Sequence, residues 1–135
     1  MIGLVLVTHG HLAEEFISAT EHVVGPQRNM VAVCVGPDDD FASRRKDVED
    51  AIQQADEGDG VILLTDLFGS TPSNLAVSQL QRGGVEVISG INLPLLIKLA
   101  GVRQKQNLAQ AIECALASAH KYINVASRLP ACMNS

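Results

Sequence analysis

His9 and Asp66 occupy matching places in the chain, because each follows a run of apolar residues that ends in threonine. The first run ends at Thr8 and the second at Thr65. A neutral imidazole can attack phosphorus or a carbonyl carbon through one nitrogen while the other donates its N–H to a carboxylate. The carboxylate fixes the tautomer and stabilises the positive charge that grows on the ring. If the two lie side by side, His9 is a candidate nucleophile and Asp66 its orienting acceptor.

The segment after Asp66 adds groups that suit an anion. Ser70, Thr71 and Pro72 stand at the start of a predicted helix, where hydroxyls, free N–H groups and about half a positive charge collect. Phosphoryl transfer needs little beyond in-line positioning and stabilisation of charge, so these features indicate a phosphohistidine site without a cofactor. The residues predicted to line this site are Thr8, Gly10, Gly69, Ser70 and Thr71.

Simpler interpretations of the same residues stay open. A histidine at the end of a strand is often an ordinary polar loop residue, and this holds for His9 if it is considered without Asp66. Asp66 is also a possible cap of the helix that follows it, because aspartate is a favoured N-cap residue. The hydroxyl residues Ser70 and Thr71 are equally common in helix caps that bind no ligand.

Metal binding is not expected at the histidines. His9 and His11 are close in sequence, but no cysteine or histidine cluster has zinc-ligand spacing, and the other two histidines fall within predicted helices. His11 is predicted to lie at the solvated start of the first helix. Cys34 and Cys114 are interpreted as core residues. The acidic run 38–40 is interpreted as a solvated loop that ends in a helix cap.

Two alternating periodicities indicate the elements that must position these residues. Near-continuous apolar runs at 2–8, 30–35, 60–64 and 85–89 suit strands that are buried on both faces, as in a parallel sheet covered by helices. Helical patterns lie between and after them, at 12–24, from Asp40 to about Gly58, at 73–81, from Pro94 and at 108–122. The alternation predicts an α/β, doubly wound sheet with right-handed crossovers and helices on both faces.

The inward faces of two helices can be predicted as well. Leu12, Phe16, Ala19 and Val23 share one face of the first helix. In the second helix, Asp40 is the predicted N-cap, and the residues expected to point inward are Phe41, Val48, Ile52 and Ala55.

This architecture directs attention to one edge of the sheet. Ligands of open parallel sheets bind beyond the carboxyl ends of the strands, where the strand order reverses. With a strand order of 2-1-3-4, strands 1 and 3 are neighbours roughly 4.8 Å apart. His9 and Asp66 are then predicted to lie side by side at this switch point.

Composition limits the kind of protein that carries this site. The 135 residues are 47% hydrophobic and 19% charged with net charge −5, which fits one globular domain and argues against disorder and against nucleic-acid binding. Only 3% of the residues are aromatic, which disfavours a flavin module. Apolar runs too short for a bilayer, the lack of signal-peptide features and three widely spaced cysteines predict a cytoplasmic domain with reduced thiols.

Three segments of the chain match a known family in order and spacing. They are Thr8-His9-Gly10 after the first strand, the segment 60–74 (GVILLTDLFGSTPSN) and the segment 87–96 (VISGINLPLL). Together they make the chain resemble, over nearly its whole length, the IIA (EIIA) domain of the mannose-type phosphotransferase system (PTS), the mannose-fructose-sorbose family.

The resemblance implies a role for each matching residue. His9 corresponds to the histidine that accepts a phosphoryl group from the phosphocarrier protein HPr and passes it to an EIIB domain. Asp66 corresponds to the aspartate that hydrogen-bonds this histidine, and Thr71 to a hydroxyl residue close to the site. The glycine pair usual in the family is Gly69-Ser70 in this chain, a departure that bears on the flexibility of the loop.

The resemblance also implies a homodimer, in which a C-terminal antiparallel edge strand of one subunit completes the sheet of the other. Residues 123–127 are the candidate strand, the EIIA domain is expected to cover 1–128, and 129–135 form a short tail. The chain shows no linker to an EIIB domain. The expected acceptor is therefore a separate EIIB protein, with membrane contact only through a permease complex, or a regulatory target.

Alternative classes remain beside this prediction. One is the phosphotransferase subunit of a dihydroxyacetone kinase, which has a similar histidine after its first strand. Another is a purely regulatory PTS module that uses the same histidine chemistry without transport. A receiver domain is disfavoured, because it needs an acidic pair at the end of strand 1, where this chain has Thr8-His9.

Overall fold

The computed structural model describes residues 1–130, in which strands and helices alternate before a final pair of helices. The strands are β1 (Gly3–His9), β2 (Met30–Val35), β3 (Val61–Thr65) and β4 (Val85–Ser89). The α-helices are α1 (Leu12–Val24), α2 (Phe41–Ala55), α3 (Thr71–Val77), α4 (Leu93–Val102) and α5 (Leu108–Lys121), and a short 3-10 helix covers Ala126–Arg128.

All four strands form one parallel sheet in the order β2-β1-β3-β4. This confirms the predicted α/β class and strand order, with β1 and β3 adjacent at the centre. Val7 of β1 is paired in register with Thr65 of β3. On the other side of β1, Thr8 is opposite Cys34 and His9 is opposite Val35. The carboxyl ends of β1, β2 and β3 therefore meet at one edge.

The sheet separates two hydrophobic clusters, which explains why its strands are apolar at successive positions. Leu4 and Leu6 of β1 point into a cluster that contains buried residues of α1, α4 and α5. Val5 and Val7 point to the opposite face, where they join buried residues of α2 and α3. Gly3 permits the closest approach in this layer, because a Cβ there would lie 2.4 Å from the carbonyl oxygen of Ala55.

The start of α2 confirms a predicted cap. The Asp40 carboxylate accepts hydrogen bonds from the backbone N–H of Ser43 at 3.0 Å and from its hydroxyl at 2.8 Å. These bonds stabilise the ionised form and lower the pKa of Asp40. At the same helix, the prediction for Phe41 is wrong, since this side chain is 44% exposed at the first helical position. The other inward positions are confirmed as buried at Val48, Ile52 and Ala55.

The face that α1 turns to the core differs from the predicted one. Leu12 and Val23, which share the predicted apolar face, are 40% and 56% exposed. The fully buried positions are instead Ala13 and Thr20, whose small side chains let the helix lie close to its neighbours. The Thr20 hydroxyl donates to the carbonyl of Phe16 at 2.7 Å, so its burial leaves no unpaired donor.

Several boundaries shift by a few residues. β1 extends one residue further than predicted and includes His9, which is therefore held by the sheet. α3 spans Thr71–Val77 and not 73–81, because Pro72 occupies its first turn and the residues after Ser78 form turns. α1, β2 and β4 have the predicted bounds.

The end of the described chain is exposed. Residues 123–127 are not a strand in the single chain, and Tyr122, Ile123 and Val125 are 56%, 72% and 51% exposed. The predicted tail 129–135 lies mostly outside the described residues, as does Cys132. Cys34 and Cys114 are free thiols, as predicted. Within residues 1–130, no helix has both the length and the apolar character required to span a membrane.

Candidate functional site

The sheet brings His9 and Asp66 together. His9 is the last residue of β1, and Asp66 follows the last residue of the neighbouring β3. The Nδ1 atom of His9 lies 2.8 Å from Oδ2 of Asp66, and the backbone N–H of His9 donates to the same oxygen at 3.3 Å. Register and strand order alone produce this pairing, so the predicted juxtaposition of the two side chains is confirmed.

The pair leaves one nitrogen of the imidazole without this constraint. With Asp66 ionised, Nδ1 carries the proton that it donates to Oδ2, and Nε2 retains its lone pair. The His9 side chain is 51% exposed, whereas Asp66 is 15% exposed. The arrangement therefore presents a half-exposed imidazole with a largely buried carboxylate beside its Nδ1 atom.

Asp66 does not cap the following helix. The residue at the N-cap of α3 is Ser70, and Oδ2 of Asp66 is the atom that accepts both bonds from His9. Its other oxygen, Oδ1, is buried without a hydrogen-bond partner among the described residues. Burying a carboxylate with one unpaired oxygen costs stability, which is typical of a polar group at a functional site.

The turn after β1 depends on glycine. Gly10 has a φ of +53°, a left-handed conformation that glycine adopts without strain. Its backbone N–H donates to the carbonyl of Val35 at 2.9 Å and so ties the turn to β2. The chain then enters α1 at His11, which is 83% exposed as predicted.

The loop between β3 and α3 uses two of its predicted phosphate-binding groups internally. Gly69 has a φ of +85°, and its N–H donates to the Ser73 hydroxyl at 3.2 Å. The Ser70 hydroxyl donates to the carbonyl of Leu67 at 2.5 Å and makes no cap bond to α3. Thr8 is likewise turned inward, because it is fully buried and its hydroxyl lies 3.4 Å from the His9 carbonyl.

A cleft of about 370 Å³ lies beside His9. It brings the predicted residues His9, Gly10 and Thr71 together with the loop after β2, which the predicted set of site residues left out. In that loop, Asp39 accepts a hydrogen bond from the N–H of Gly36 at 2.7 Å. The residues that line the cleft are His9, Gly10, Val35, Gly36, Pro37, Asp39, Thr71 and Pro72. The third carboxyl-end loop could have been predicted from strand order, since β2 is the other neighbour of β1.

Two large apolar side chains stand exposed in the loop that follows Asp66. Leu67 is 60% exposed and Phe68 is 77% exposed. In the sequence, this apolar pair resembles a continuation of the buried strand that precedes it. Its exposure was therefore not predicted. Exposed aromatic and aliphatic groups at the rim of a polar site are typical of a surface that contacts another protein.

Comparison with known proteins agrees with this geometry. The sequence model of the family described as "PTS system fructose IIA component" matches residues 3–116. The chain belongs to this EIIA family. As an EIIA component of the mannose family, it is a phosphotransferase that takes part in phosphoryl transfer within the sugar PTS. The resemblance drawn from the three sequence segments is thereby confirmed.

Individual relatives support the same family and fold. The EIIA chain is 35% identical over 107 residues to the phosphotransferase enzyme IIA component YadI of Escherichia coli K12, a match that covers 77% of this chain and 72% of YadI. It is 29% identical over 98 residues to the mannose-specific EIIAB component of that strain, covering 72% of this chain and 30% of the relative. The crystal structure of an EIIA component from Streptococcus agalactiae has the same fold, with a TM-score of 0.87, 22% identity and coverage of 96% and 100%.

Proposed function

We propose that His9 carries the phosphoryl group of this EIIA component on its Nε2 atom. The observation behind this assignment is the 2.8 Å contact between Nδ1 of His9 and Oδ2 of Asp66. That contact uses one ring nitrogen for positioning and leaves the other for attack. The half-exposed imidazole is accessible to a phosphorylated donor protein, which a buried histidine is not.

The proposed step is an in-line transfer between two histidines. The Nε2 lone pair of His9 attacks phosphorus, the new Nε2–P bond forms, and the N–P bond of the phosphohistidine donor breaks. The electron pair of the broken bond stays on the donor imidazole, so neither water nor an additional proton is required. In the next transfer the acceptor attacks the phosphorus, the Nε2–P bond of His9 breaks, and its electron pair returns to the His9 ring.

Asp66 is proposed as the positioning residue in this step. Its carboxylate holds the Nδ1 proton and thereby keeps the lone pair on Nε2, which is the tautomer needed for attack. As Nε2 binds phosphorus, positive charge develops on the ring, and the carboxylate 2.8 Å from Nδ1 stabilises it. Thr71 lines the same cleft and is the proposed hydroxyl donor to the phosphoryl oxygens.

The proposed donor is HPr, and the proposed acceptor is a separate EIIB protein in the cytoplasm. Both partners must reach the same nitrogen, so both are expected to dock on the surface around His9. The exposed side chains of Leu67 and Phe68 supply apolar contact area there. The alternatives to transfer to EIIB are a role as the phosphotransferase subunit of a dihydroxyacetone kinase and a role as a purely regulatory PTS module.

A homodimer formed through the C-terminal segment is proposed as the assembled state. In support, Ile123 and Val125 are 72% and 51% exposed in the single chain, and in residues 1–130 β4 pairs on one side only, with β3. If a second copy adds its residues 123–127 as a strand beside β4, these apolar side chains become covered and the free side of β4 becomes paired. Sedimentation at micromolar concentration should give the dimer mass, and a monomer mass would contradict this proposal.

Phosphorylation of single-histidine variants tests the assignment of His9. Wild-type protein incubated with phosphoenolpyruvate, enzyme I and HPr should acquire one acid-labile phosphoryl group, whereas His9→Ala should acquire none. His11→Ala is the matched control, because His11 is two residues away, is 83% exposed and should be labelled like the wild type. Labelling of His9→Ala at the wild-type level would overturn the proposal.

A further inference from the structure

A second group of reactive side chains lies beside the phosphoryl-transfer site and takes no part in it. His11, Glu14 and Cys34 each place one donor atom within 4.8 Å of the donor atoms of the other two. Nδ1 of His11 lies 3.6 Å from Oε2 of Glu14. We call these three residues the His11–Glu14–Cys34 cluster.

The fold assembles this cluster from two neighbouring elements. His11 occupies the N-cap position of α1 but makes no side-chain cap bond, and Glu14 follows three residues later on the same side of the first turn. Cys34 lies in β2, where it pairs in register with Thr8 of β1. Because α1 packs against the face of the sheet to which Cys34 belongs, the thiol lies beneath the start of the helix.

We propose that the His11–Glu14–Cys34 cluster is a binding site for a thiophilic divalent cation of the zinc class. Thiolate, imidazole and carboxylate are the three side-chain ligands that Zn²⁺ takes in proteins. In a tetrahedral site the ligand atoms lie about 3.5 Å apart, given metal–ligand distances of about 2.0–2.3 Å. The cluster approaches that spacing. His11 and Glu14 are 83% and 62% exposed, so their side chains are free to rotate the remaining distance.

The charges in and around the cluster fit a dication. A Cys34 thiolate and the Glu14 carboxylate together balance two positive charges, and His11 binds as a neutral imidazole. Partial burial raises the pKa of the Cys34 thiol, so the free protein holds it protonated, and binding releases that proton to solvent. Arg44 lines the same groove as Glu14 and Cys34. Its guanidinium is already paired with Asp47 at 2.8 Å.

This site is separate from the phosphoryl-transfer site. His9 is not among the three clustered residues, and its Nδ1 contacts Asp66, which follows β3 on the other side of β1 from Cys34. Sequence spacing pointed away from a metal, since only His11 and Glu14 are close in the chain. The third donor comes from β2, and only the register of β1 with β2 brings it near.

Titration of the full-length, reduced protein with Co²⁺ tests the proposal, since Co²⁺ replaces Zn²⁺ and its bond to a thiolate is visible in the absorption spectrum. One equivalent should produce a thiolate-to-cobalt charge-transfer band together with the strong visible bands of a tetrahedral ion, and Zn²⁺ should abolish both. Cys34→Ser should lose the charge-transfer band. His11→Ala and Glu14→Gln should each weaken Co²⁺ binding at least about tenfold. Cys114→Ser and His22→Ala are the matched controls and should bind as the wild type does.

Three results would overturn the proposal. The first is the absence of a charge-transfer band in the wild-type protein at one equivalent. The second is a band that persists in Cys34→Ser or disappears in Cys114→Ser. The third is an unchanged affinity of His11→Ala for Co²⁺. Because the His11 side chain is exposed, this substitution is not expected to disturb folding. The last variant also decides the question if Cys34→Ser fails to fold.

Discussion

Two polar side chains at opposite edges of the same sheet have opposite surroundings. At the carboxyl edge, the His9 side chain is 51% exposed, and its ring is hydrogen-bonded to Asp66. At the amino edge, Arg103 is 2% exposed at the end of α4. Its two Nη atoms donate to four oxygens, which are those of the Ile2, Arg28 and Asn29 carbonyls and Oε1 of Gln27.

The contrast separates a structural polar group from a reactive one. The bonds of Arg103 tie the end of α4 to the start of β1 and to the segment before β2, so both of its Nη atoms are used within the fold, while its Nε is buried without a hydrogen-bond partner among residues 1–130. His9 keeps one nitrogen free, and Asp66 keeps one buried oxygen without a partner in the described part of the chain. Polar groups that the fold leaves unsatisfied at the switch point are those available for chemistry.

The largest effect is expected at the amino edge. Arg103→Met leaves several buried oxygens without a charged donor, so the free energy of unfolding should fall by at least about 3 kcal/mol. Urea denaturation measures this loss, and Arg82→Met, at an exposed position, is the control with a change within about 0.5 kcal/mol. The folded variant should still accept phosphate on His9. A free energy of unfolding equal to that of the wild type in Arg103→Met would show that the hydrogen bonds of Arg103 do not stabilise the amino edge of the sheet.

The next largest effect is expected at the carboxyl edge, where a substitution should reduce phosphoryl transfer and leave stability nearly unchanged. Asp66→Asn should slow phosphoryl transfer from HPr about 100-fold, because the neutral amide does not stabilise the positive charge on the ring and its NH2 group can donate to Nδ1, which puts the proton on Nε2. Its free energy of unfolding should change by less than about 1 kcal/mol, since the variant removes a buried charge with one unpaired oxygen. Quench-flow transfer assays and urea denaturation measure the two quantities. Asp38→Asn, in an exposed loop at the same edge, should change neither.

A smaller effect is expected at the rim of the site. Phe68→Ala should raise the KM for phosphorylated HPr about tenfold and leave kcat unchanged, because the role proposed for Phe68 is contact with the partner protein and not with the phosphoryl group. Leu80→Ala is the control, since Leu80 is 43% exposed but lies between α3 and β4, toward the amino edge. Equal KM values for wild type and Phe68→Ala would remove this loop from the docking surface.

The smallest effect concerns Asp40, a carboxylate at the same edge as Asp66 but satisfied by its own helix. Hydrogen bonds from Ser43 lower its pKa in the folded state from the ordinary 3.8. Its contribution to stability is therefore present above about pH 4 and is lost as pH falls through the lowered pKa. Unfolding curves of wild type and Asp40→Ala should differ near pH 7 and converge in acid. A constant difference across this range would contradict the role of the carboxylate charge.

Much of this contrast can be predicted at the carboxyl edge and little of it at the amino edge. Buried strands can be predicted from apolar runs, and the strand order then places His9 beside Asp66 without any side-chain detail. The burial of Arg103 cannot be predicted from the sequence, because an arginine directly after a helix is usually exposed at a solvated helix end. Local hydrogen bonding is also hidden, as the inward-turned hydroxyl of Ser70 illustrates. The approach of Cys34 to His11 depends on register between strands, which no local pattern encodes.

The ring nitrogen that carries the phosphoryl group decides whether Asp66 positions His9 as proposed. Protein labelled with ¹⁵N at histidine and phosphorylated through HPr can be assigned by long-range ¹H–¹⁵N correlation spectra, which distinguish the two ring nitrogens and the individual histidines. Because Asp66 holds Nδ1 at 2.8 Å, phosphorus is predicted on Nε2 of His9, with the proton retained on Nδ1. Phosphorus on Nδ1 of His9, or on any other histidine, would contradict the account.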